Sequence, residues 1–183
     1  MKQVGFYVNA AVCMGCKTCV VACKDQYDLE VGRNFRRVYN VEQGAYPRAR
    51  HFHLSISCNH CDAPACVQKC PTKALYKRQE DGIVAIDEER CIGCHYCSWA
   101  CPYDALQFNP QKGVMTKCGT CTDLRTLGAE PACVTSCPMR ALEFGEISVL
   151  RKKYGSNADM FSLPSSKLTK PNIVIGLKKL EGS

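Results

Sequence analysis

Sixteen cysteines in 183 residues fall, with none left over, into four groups of four. The first group is Cys13-x2-Cys16-x2-Cys19-x3-Cys23, and the second is Cys58-x2-Cys61-x4-Cys66-x3-Cys70 followed by Pro71. The third is Cys91-x2-Cys94-x2-Cys97-x3-Cys101 followed by Pro102, and the fourth is Cys118-x2-Cys121-x11-Cys133-x3-Cys137 followed by Pro138. This spacing restricts the fold more than any hydrophobic pattern does. Without the cysteines the apolar fraction falls from 46% to roughly 37%, under the usual share. So thin a core needs covalent or metal staples.

Several chemistries compete for these thiols. A disulfide framework is the default for a short secreted chain, but Met1 to Val12 offers neither a continuous apolar h-region nor a cleavage site. The chain therefore reads as carrying no secretory signal of its own. Structural zinc suits the fourth group, yet it gains nothing from a third cysteine in Cys-x2-Cys-x2-Cys. Sixteen catalytic thiols would serve no reaction. A [4Fe–4S] cluster accounts for the details: three cysteines at x2 spacing wrap three corners, and the x3 step starts a helical turn that carries the fourth sulfur toward a neighbouring cluster. Pro71, Pro102 and Pro138 suit the chain reversal after that turn, having a fixed φ and no N–H to satisfy. Lys24 follows the first group instead, leaving its helix free to continue. Four ligands per cluster imply four [4Fe–4S] clusters.

The segments between groups repeat. Ala74 to Tyr76 and Ile83 to Ile86 flank a Glu80-Asp81-Gly82 turn, and Ala105 to Phe108 and Val114 to Lys117 flank Pro110 to Gly113; both read as hairpins. The unit Cys-Pro-x-x-Ala-strand occurs at Cys70, Cys101 and Cys137, the internal repeat of a ferredoxin half-module. Groups two and three are joined by a linker long enough for one hairpin and pair with each other, which leaves groups one and four to pair around them. Crossed ligation then assigns Cys13, Cys16 and Cys19 with Cys137, and Cys118, Cys121 and Cys133 with Cys23. It likewise assigns Cys91, Cys94 and Cys97 with Cys70, and Cys58, Cys61 and Cys66 with Cys101. The expected fold class is α+β: two ferredoxin-like two-cluster lobes, built of short hairpins and short helices around four [4Fe–4S] clusters. Residues 1–57 and 103–154 make the first lobe, 58–102 the second, and 155–183 an extended C-terminal tail. Asn34 to Phe52 reads as a strand and loop, Glu143 to Tyr154 as a helix stopped by Gly155, and Asn172 to Leu177 as a strand packed on the body or a partner.

The remaining residues exclude more than they add. No apolar run reaches the roughly 18 residues of a membrane span. The formal net charge is +7, but the basic residues are scattered without interleaved aromatics, so nucleic acid is not an expected partner. Four clusters with their thiolates carry about −8, which leaves the loaded protein near −1 and makes the basic excess counter-charge. No dinucleotide or phosphate-binding loop is present, and no catalytic residue is expected. His51, His53, His60 and His95 read as surface or cluster-lining groups, and Trp99 as packing against a cluster. Arg33, Arg36 and Arg37 read as a solvated connector or a partner-facing group. A globule this size is on the order of 40 Å across, so four centres inside it lie close enough for tunnelling and form a wire.

These residues resemble the four-cluster iron–sulfur subunits of molybdopterin oxidoreductases, and most of all their dimethyl sulfoxide reductase branch. The resemblance is carried by Cys16-Lys17-Thr18-Cys19, Ser55-Ile56-Ser57-Cys58-Asn59-His60-Cys61, Cys91-Ile92-Gly93-Cys94, Met115-Thr116-Lys117-Cys118, Pro131-Ala132-Cys133 and Thr169-Lys170-Pro171-Asn172-Ile173-Val174-Ile175. Sister subunits for polysulfide, thiosulfate and tetrathionate reduction share the cysteine frame, and a free polyferredoxin carrier is a further alternative. In nitrate-reductase counterparts a Trp replaces one third-group cysteine; here Cys94 keeps the set complete. The resemblance implies an electron-transfer subunit without an active site of its own. It implies two partners, a molybdopterin-containing catalytic subunit and an integral-membrane, quinol-oxidising anchor. It also implies co-export to the outer, periplasmic face of a bacterial cytoplasmic membrane. The Cys13, Cys16, Cys19 and Cys137 cluster would face the molybdenum subunit. The Cys58, Cys61, Cys66 and Cys101 cluster would lie nearest the quinol, with Lys77 and Arg78 on the anchor side.

Overall fold

Val-Gly-Phe-Tyr-Val near the N-terminus is rich in β-branched and aromatic residues, and in the computed structural model it forms the central strand of the largest sheet. The structure describes residues 2–160 and 162–177. Strand β1 (Val4–Asn9) is flanked by two strands from distant parts of the chain. The hairpin β2 (Arg37–Gln43) and β3 (Arg50–Ile56), and the two short hairpins β4 (Leu75–Lys77) with β5 (Val84–Ile86) and β6 (Gln107–Asn109) with β7 (Val114–Thr116), form sheets of their own. Beside β1 lie β8 (Leu142–Glu146), antiparallel, and β9 (Ile173–Gly176), parallel. Phe6 is thus opposite both Phe144 and Ile173, and the sheet joins both ends of the described chain. Gly5 is required there, because a Cβ would strike the Asn172 carbonyl oxygen, which accepts from the N–H of Phe6.

The helices are short: α1 (Thr18–Gln26), α2 (Ala65–Gln68), α3 (Tyr96–Ala100), α4 (Thr122–Thr126), α5 (Ala132–Thr135) and α6 (Ile147–Tyr154). Four of them carry a cysteine: Cys19 and Cys23 lie on the first, and Cys66, Cys97 and Cys133 on three others. α1 runs past Cys23, as the absence of a following proline allows, whereas α3 stops before Cys101 and Pro102. α1 packs on α5 and α2 on α3, so group one meets group four and group two meets group three. After each Cys-Pro a turn closes in the same way: Lys73 N donates to Cys70 O, Asp104 N to Cys101 O and Arg140 N to Cys137 O, at 3.3, 3.2 and 3.1 Å. Proline fits the second position of such a turn. The three donors all sit at positive φ, and each is followed by a buried alanine that starts the next strand segment.

Three sequence expectations change. The hairpin β6–β7 does not belong with the first lobe. Leu106 and Met115 pack with Cys66, Leu75, Val84 and Cys97, so the hairpin sits against the second-lobe cysteines, while Tyr103 and Ala105 before it pack into the first-lobe cores. Glu143 lies in β8 rather than opening a helix; α6 begins at Ile147 and folds its basic end back over the strand. There Lys153 Nζ pairs with the Glu143 carboxylate at 3.0 Å, Tyr154 donates its hydroxyl to it at 2.6 Å, and the Tyr154 ring stacks on Tyr7 at 3.7 Å. The tail, finally, is not extended throughout: its strand takes the first of the two expected placements and packs on the body. β9 is buried, Asp62 and Ala63 donate their N–H groups to Lys170 and Thr169, and Asn172, 1% exposed, donates to the carbonyl of His60. Residues 178–183 of the expected tail lie outside the described residues.

Candidate functional site

Each cysteine loop turns through left-handed backbone. In the first and third groups the same two positions do so: Gly15 and Lys17 have φ 71° and 62°, Gly93 and His95 have φ 66° and 64°. In the second group His60 alone, and in the fourth the adjacent Thr120 and Cys121, also adopt positive φ. Alternating right- and left-handed residues turn successive N–H groups into one concavity, the backbone arrangement that receives anions and iron–sulfur clusters. Glycine is needed at 93, where a Cβ would meet the Gly113 carbonyl oxygen, and at 15, where it would meet the His53 ring.

The thiols converge across the sequence. Cys13, Cys16, Cys19 and Cys137 line one cavity with Ser55, Val38 and Leu142. Cys70, Cys91, Cys94 and Cys97 line another with Leu75, Ile86 and Met115. Burial pushes the Cys23 thiol up, and Cys118, Cys133 and Cys121 are the sulfurs that face it. Burial likewise pushes Cys61 and Cys66 up to about 12, Cys66 facing Cys58, Cys101 and Cys61. Each of the four sets expected from crossed ligation is therefore brought together in space. Among the described residues no three Cys, His, Asp or Glu side chains converge on a single-ion position. A tetrahedral zinc site would hold its sulfurs about 3.8 Å apart, as Zn–S bonds of about 2.3 Å require, and no set among the described residues converges on such a position.

The sets also adjoin one another. Cys133 faces Cys19, which joins the fourth-group set to the first. Cys118 faces Cys58, which joins it to the second-group set. Cys66, Cys70, Cys91, Cys97 and Cys101 share one apolar core, which joins the second to the third. The order is thus Cys13/16/19/137, Cys118/121/133/23, Cys58/61/66/101 and Cys91/94/97/70. The expectation that Cys58, Cys61, Cys66 and Cys101 make the far terminus is corrected: they are interior, and the set of Cys70, Cys91, Cys94 and Cys97 is terminal.

Most of the buried thiols are shifted up, whereas Cys16, beside the Thr18 hydroxyl, and Cys70 are shifted down. Burial raises Cys118, Cys121 and Cys133, and it pushes Cys97 up to about 11. A reactive cysteine needs the opposite shift, whereas a metal centre deprotonates a thiol outright. Several sulfurs accept hydrogen bonds: Cys137 from Ala141 N at 3.3 Å, Cys91 from Met115 N at 3.4 Å, Cys118 from Thr120 N at 3.4 Å and Cys16 from the Thr18 hydroxyl at 3.3 Å.

Residues outside the cysteine frame differ more from expectation. His60 is fully buried; its Nδ1 accepts from Val84 N at 3.1 Å, and burial with the cations of Lys117, Lys77 and Arg125 holds it well below the usual histidine range. It lines the second set as a neutral ring. Trp99 does not pack inward: it is 76% exposed and lies beside the exposed Tyr96 ring at 5.6 Å, with Ile92 also exposed. Lys77 is not a free docking charge, because its Nζ donates to the carbonyls of His60 and Cys61 at 3.1 and 2.8 Å; Arg78 pairs with Asp81 at 3.2 Å. Arg36, read as a connector or a partner-facing residue, is 1% exposed and sits among cysteines. Nothing in its sequence neighbourhood signals this, since Arg33 and Arg37 beside it keep carboxylate partners.

Known proteins give a consistent picture. The family of 4Fe-4S dicluster domains matches residues 49–147, and a 4Fe-4S binding domain matches residues 10–28. The B subunit of anaerobic dimethyl sulfoxide reductase from Escherichia coli is 50% identical, over 94% of this chain and 88% of its own length. Its Haemophilus influenzae counterpart is 47% identical over 96% and 89%. The thiosulfate reductase electron transfer subunit of Salmonella typhi is 46% identical over 74% and 71%.

Proposed function

Because the chain belongs to the 4Fe-4S dicluster family and is an electron-transfer iron–sulfur subunit of the dimethyl sulfoxide reductase kind, we propose that its sixteen cysteines hold four [4Fe–4S] clusters acting as one relay. Bound there, each cluster takes and gives a single electron. The donor is a quinol-oxidising integral-membrane subunit, and the acceptor is a molybdopterin catalytic subunit that reduces dimethyl sulfoxide or a related S- or N-oxide. The protein sits on the outer face of the cytoplasmic membrane, exported with its catalytic partner.

The observation that carries this reading is that the four cysteine sets adjoin one another in an unbroken chain of neighbours. Both ends of this series reach the surface through apolar side chains. Val12, Met14, Val21 and Met139 are exposed at the Cys13/16/19/137 end, and Ile92, Tyr96 and Trp99 at the Cys91/94/97/70 end. The first end is assigned to the molybdenum subunit and the second to the membrane anchor.

The test is composition followed by turnover. Anaerobically purified protein should contain about sixteen iron and sixteen sulfide per chain, with broad visible absorption. Paramagnetic resonance during stepwise reduction should resolve four one-electron centres. In the assembled complex, quinol-reduced clusters should be reoxidised on adding dimethyl sulfoxide. A colourless, zinc-filled protein, or one with half the iron, overturns the four-cluster relay. Reoxidation by thiosulfate and not by sulfoxide would move the complex to the sister branch.

A further inference from the structure

We infer that Arg36 is the internal counter-charge of the Cys13/16/19/137 and Cys118/121/133/23 clusters and raises the reduction potential of both; this rests on the relay reading above. The guanidinium lies wholly inside the protein. Nη1 donates to the Ser55 carbonyl and hydroxyl at 3.4 and 3.1 Å, and Nη2 donates to the Ser57 hydroxyl at 3.1 Å. Its carbon sits 4.5 Å above the centre of the Phe6 ring. Nε has no partner.

Every protein group that touches Arg36 in these contacts is uncharged. Arg33, Arg37 and Arg125 each reach a carboxylate, on Glu30, Asp104 and Asp81. Among the described residues no carboxylate pairs with Arg36. A buried charge without a partner is strongly unfavourable, so a stable fold must place an anion beside it. The candidates at hand are sulfurs: Cys133, Cys118 and Cys23 of one set, and Cys19 of the other, surround the side chain. Ser55 links it to the set of Cys19 as well, its hydroxyl lying 3.3 Å from Cys19 Sγ. Arg36 therefore stands between the first two centres of the series.

The consequence follows from sign. Reduction adds one electron to a centre that is already negative, with no bond made or broken. A fixed positive charge in a medium of low dielectric favours the more negative state and raises the potential. Hydroxyl anchoring holds that charge in place, so its effect is not relaxed away by side-chain motion. The third and fourth centres of the series lie beyond Cys58 and feel it less.

The experiment uses the complete complex, purified anaerobically, with Arg36→Gln and Arg36→Lys compared by potentiometric titration under paramagnetic resonance. Arg36→Gln should move two of the four waves down, changing their reduced-to-oxidised ratio at fixed potential at least tenfold, which is about 59 mV for a one-electron couple. The moved waves should be those lost in Cys13→Ser and Cys118→Ser complexes. Arg36→Lys, which keeps the charge, should leave those waves nearer their original positions. Four waves that ignore Arg36→Gln, or that move as far in Arg36→Lys, overturn the assignment of Arg36 and leave the relay standing. A wild-type complex without four waves fails the relay and this inference together. If Arg36→Gln does not assemble, Ser57→Ala, at a position outside the first thiol cavity, loosens the anchor while keeping the charge. A smaller downward shift of the same two waves supports the inference, and unmoved waves overturn it.

Discussion

The Cys23 thiol faces Cys118, although Cys23 follows Cys13, Cys16 and Cys19 on the same loop and helix. The x3 step after Cys19 carries it one helical turn onward, away from its own loop and into the next set of thiols. The mirror relationship holds for Cys137, which lines the cavity of Cys13, Cys16 and Cys19. Each half of the lobe thus places its fourth thiol among the other half's three, and α1 packs on α5 where the exchange occurs.

The exchange determines which damage travels together. Cys137→Ser should disturb the cluster of Cys13, Cys16 and Cys19, converting or removing one paramagnetic centre, while the centre of Cys118, Cys121 and Cys133 stays intact. Resonance spectra of the single mutant read this directly. Selective loss of the latter centre would reverse the pairing.

Backbone strain offers a second test. At Gly93 an alanine must adopt a left-handed conformation, which costs roughly 1–2 kcal/mol, and its Cβ would also overlap the Gly113 carbonyl oxygen. At Gly113 the same substitution meets the left-handed strain alone, since nothing lies near the added carbon. Visible absorption should therefore decay faster on warming in Gly93→Ala than in Gly113→Ala, and both faster than in the parent. Equal rates for the two variants would mean that the close approach at Gly93 does not constrain the loop.

Much of the site was legible because the cysteine spacing is itself the local geometry: the loops, the exchanged fourth cysteine and the Cys-Pro turns are all written within a few residues. What the sequence hid depends on distant partners. β1 has its neighbours at 142–146 and 173–176, so the residues beside the N-terminus gave no sign of being the central strand. The β6–β7 hairpin carries the local pattern of any hairpin, and only the packing of Leu106 and Met115 against Cys66 and Cys97 places it. Arginine is usually solvated, so the local sequence gives Arg36 no mark of burial, and the thiols that surround it come from distant groups. Trp99 is the opposite case, lying between two cysteines in sequence yet pointing outward.

Removal of iron should unfold the chain. Metal binding and folding are coupled where ligands must be gathered from distant segments, and here the cysteines are also a large share of the apolar cores. Without clusters Arg36 keeps its burial cost and loses its counter-charge. Far-ultraviolet circular dichroism after complete chelation under reducing conditions should show most native signal gone, and it should return on reconstitution with iron and sulfide. A native spectrum in the iron-free chain would contradict this.

The corrected order of the sets changes which residues should govern coupling to the membrane. Lys77→Glu would now be a poor probe, because it breaks the contacts of Lys77 with the His60 and Cys61 carbonyls and disturbs an interior set. The terminal set of Cys70, Cys91, Cys94 and Cys97 is rimmed by Ile92, Tyr96 and Trp99, all of them exposed. Large aromatic side chains at the centre of an interface commonly contribute about 2 kcal/mol or more, roughly thirtyfold in affinity. Trp99→Ala and Tyr96→Ala should therefore weaken retention of the membrane subunit on purification and depress quinol-driven turnover. Iron content and turnover from a small artificial donor should stay near the parent value, since neither ring is among the side chains lining that thiol cavity. Equal loss of both activities with the clusters intact would place the anchor elsewhere. The corresponding change at the other end is Val21→Glu, at an exposed position outside the first thiol cavity. It should leave the membrane subunit bound and release the catalytic one. Measuring both kinds of variant in the same complex fixes the polarity of the wire.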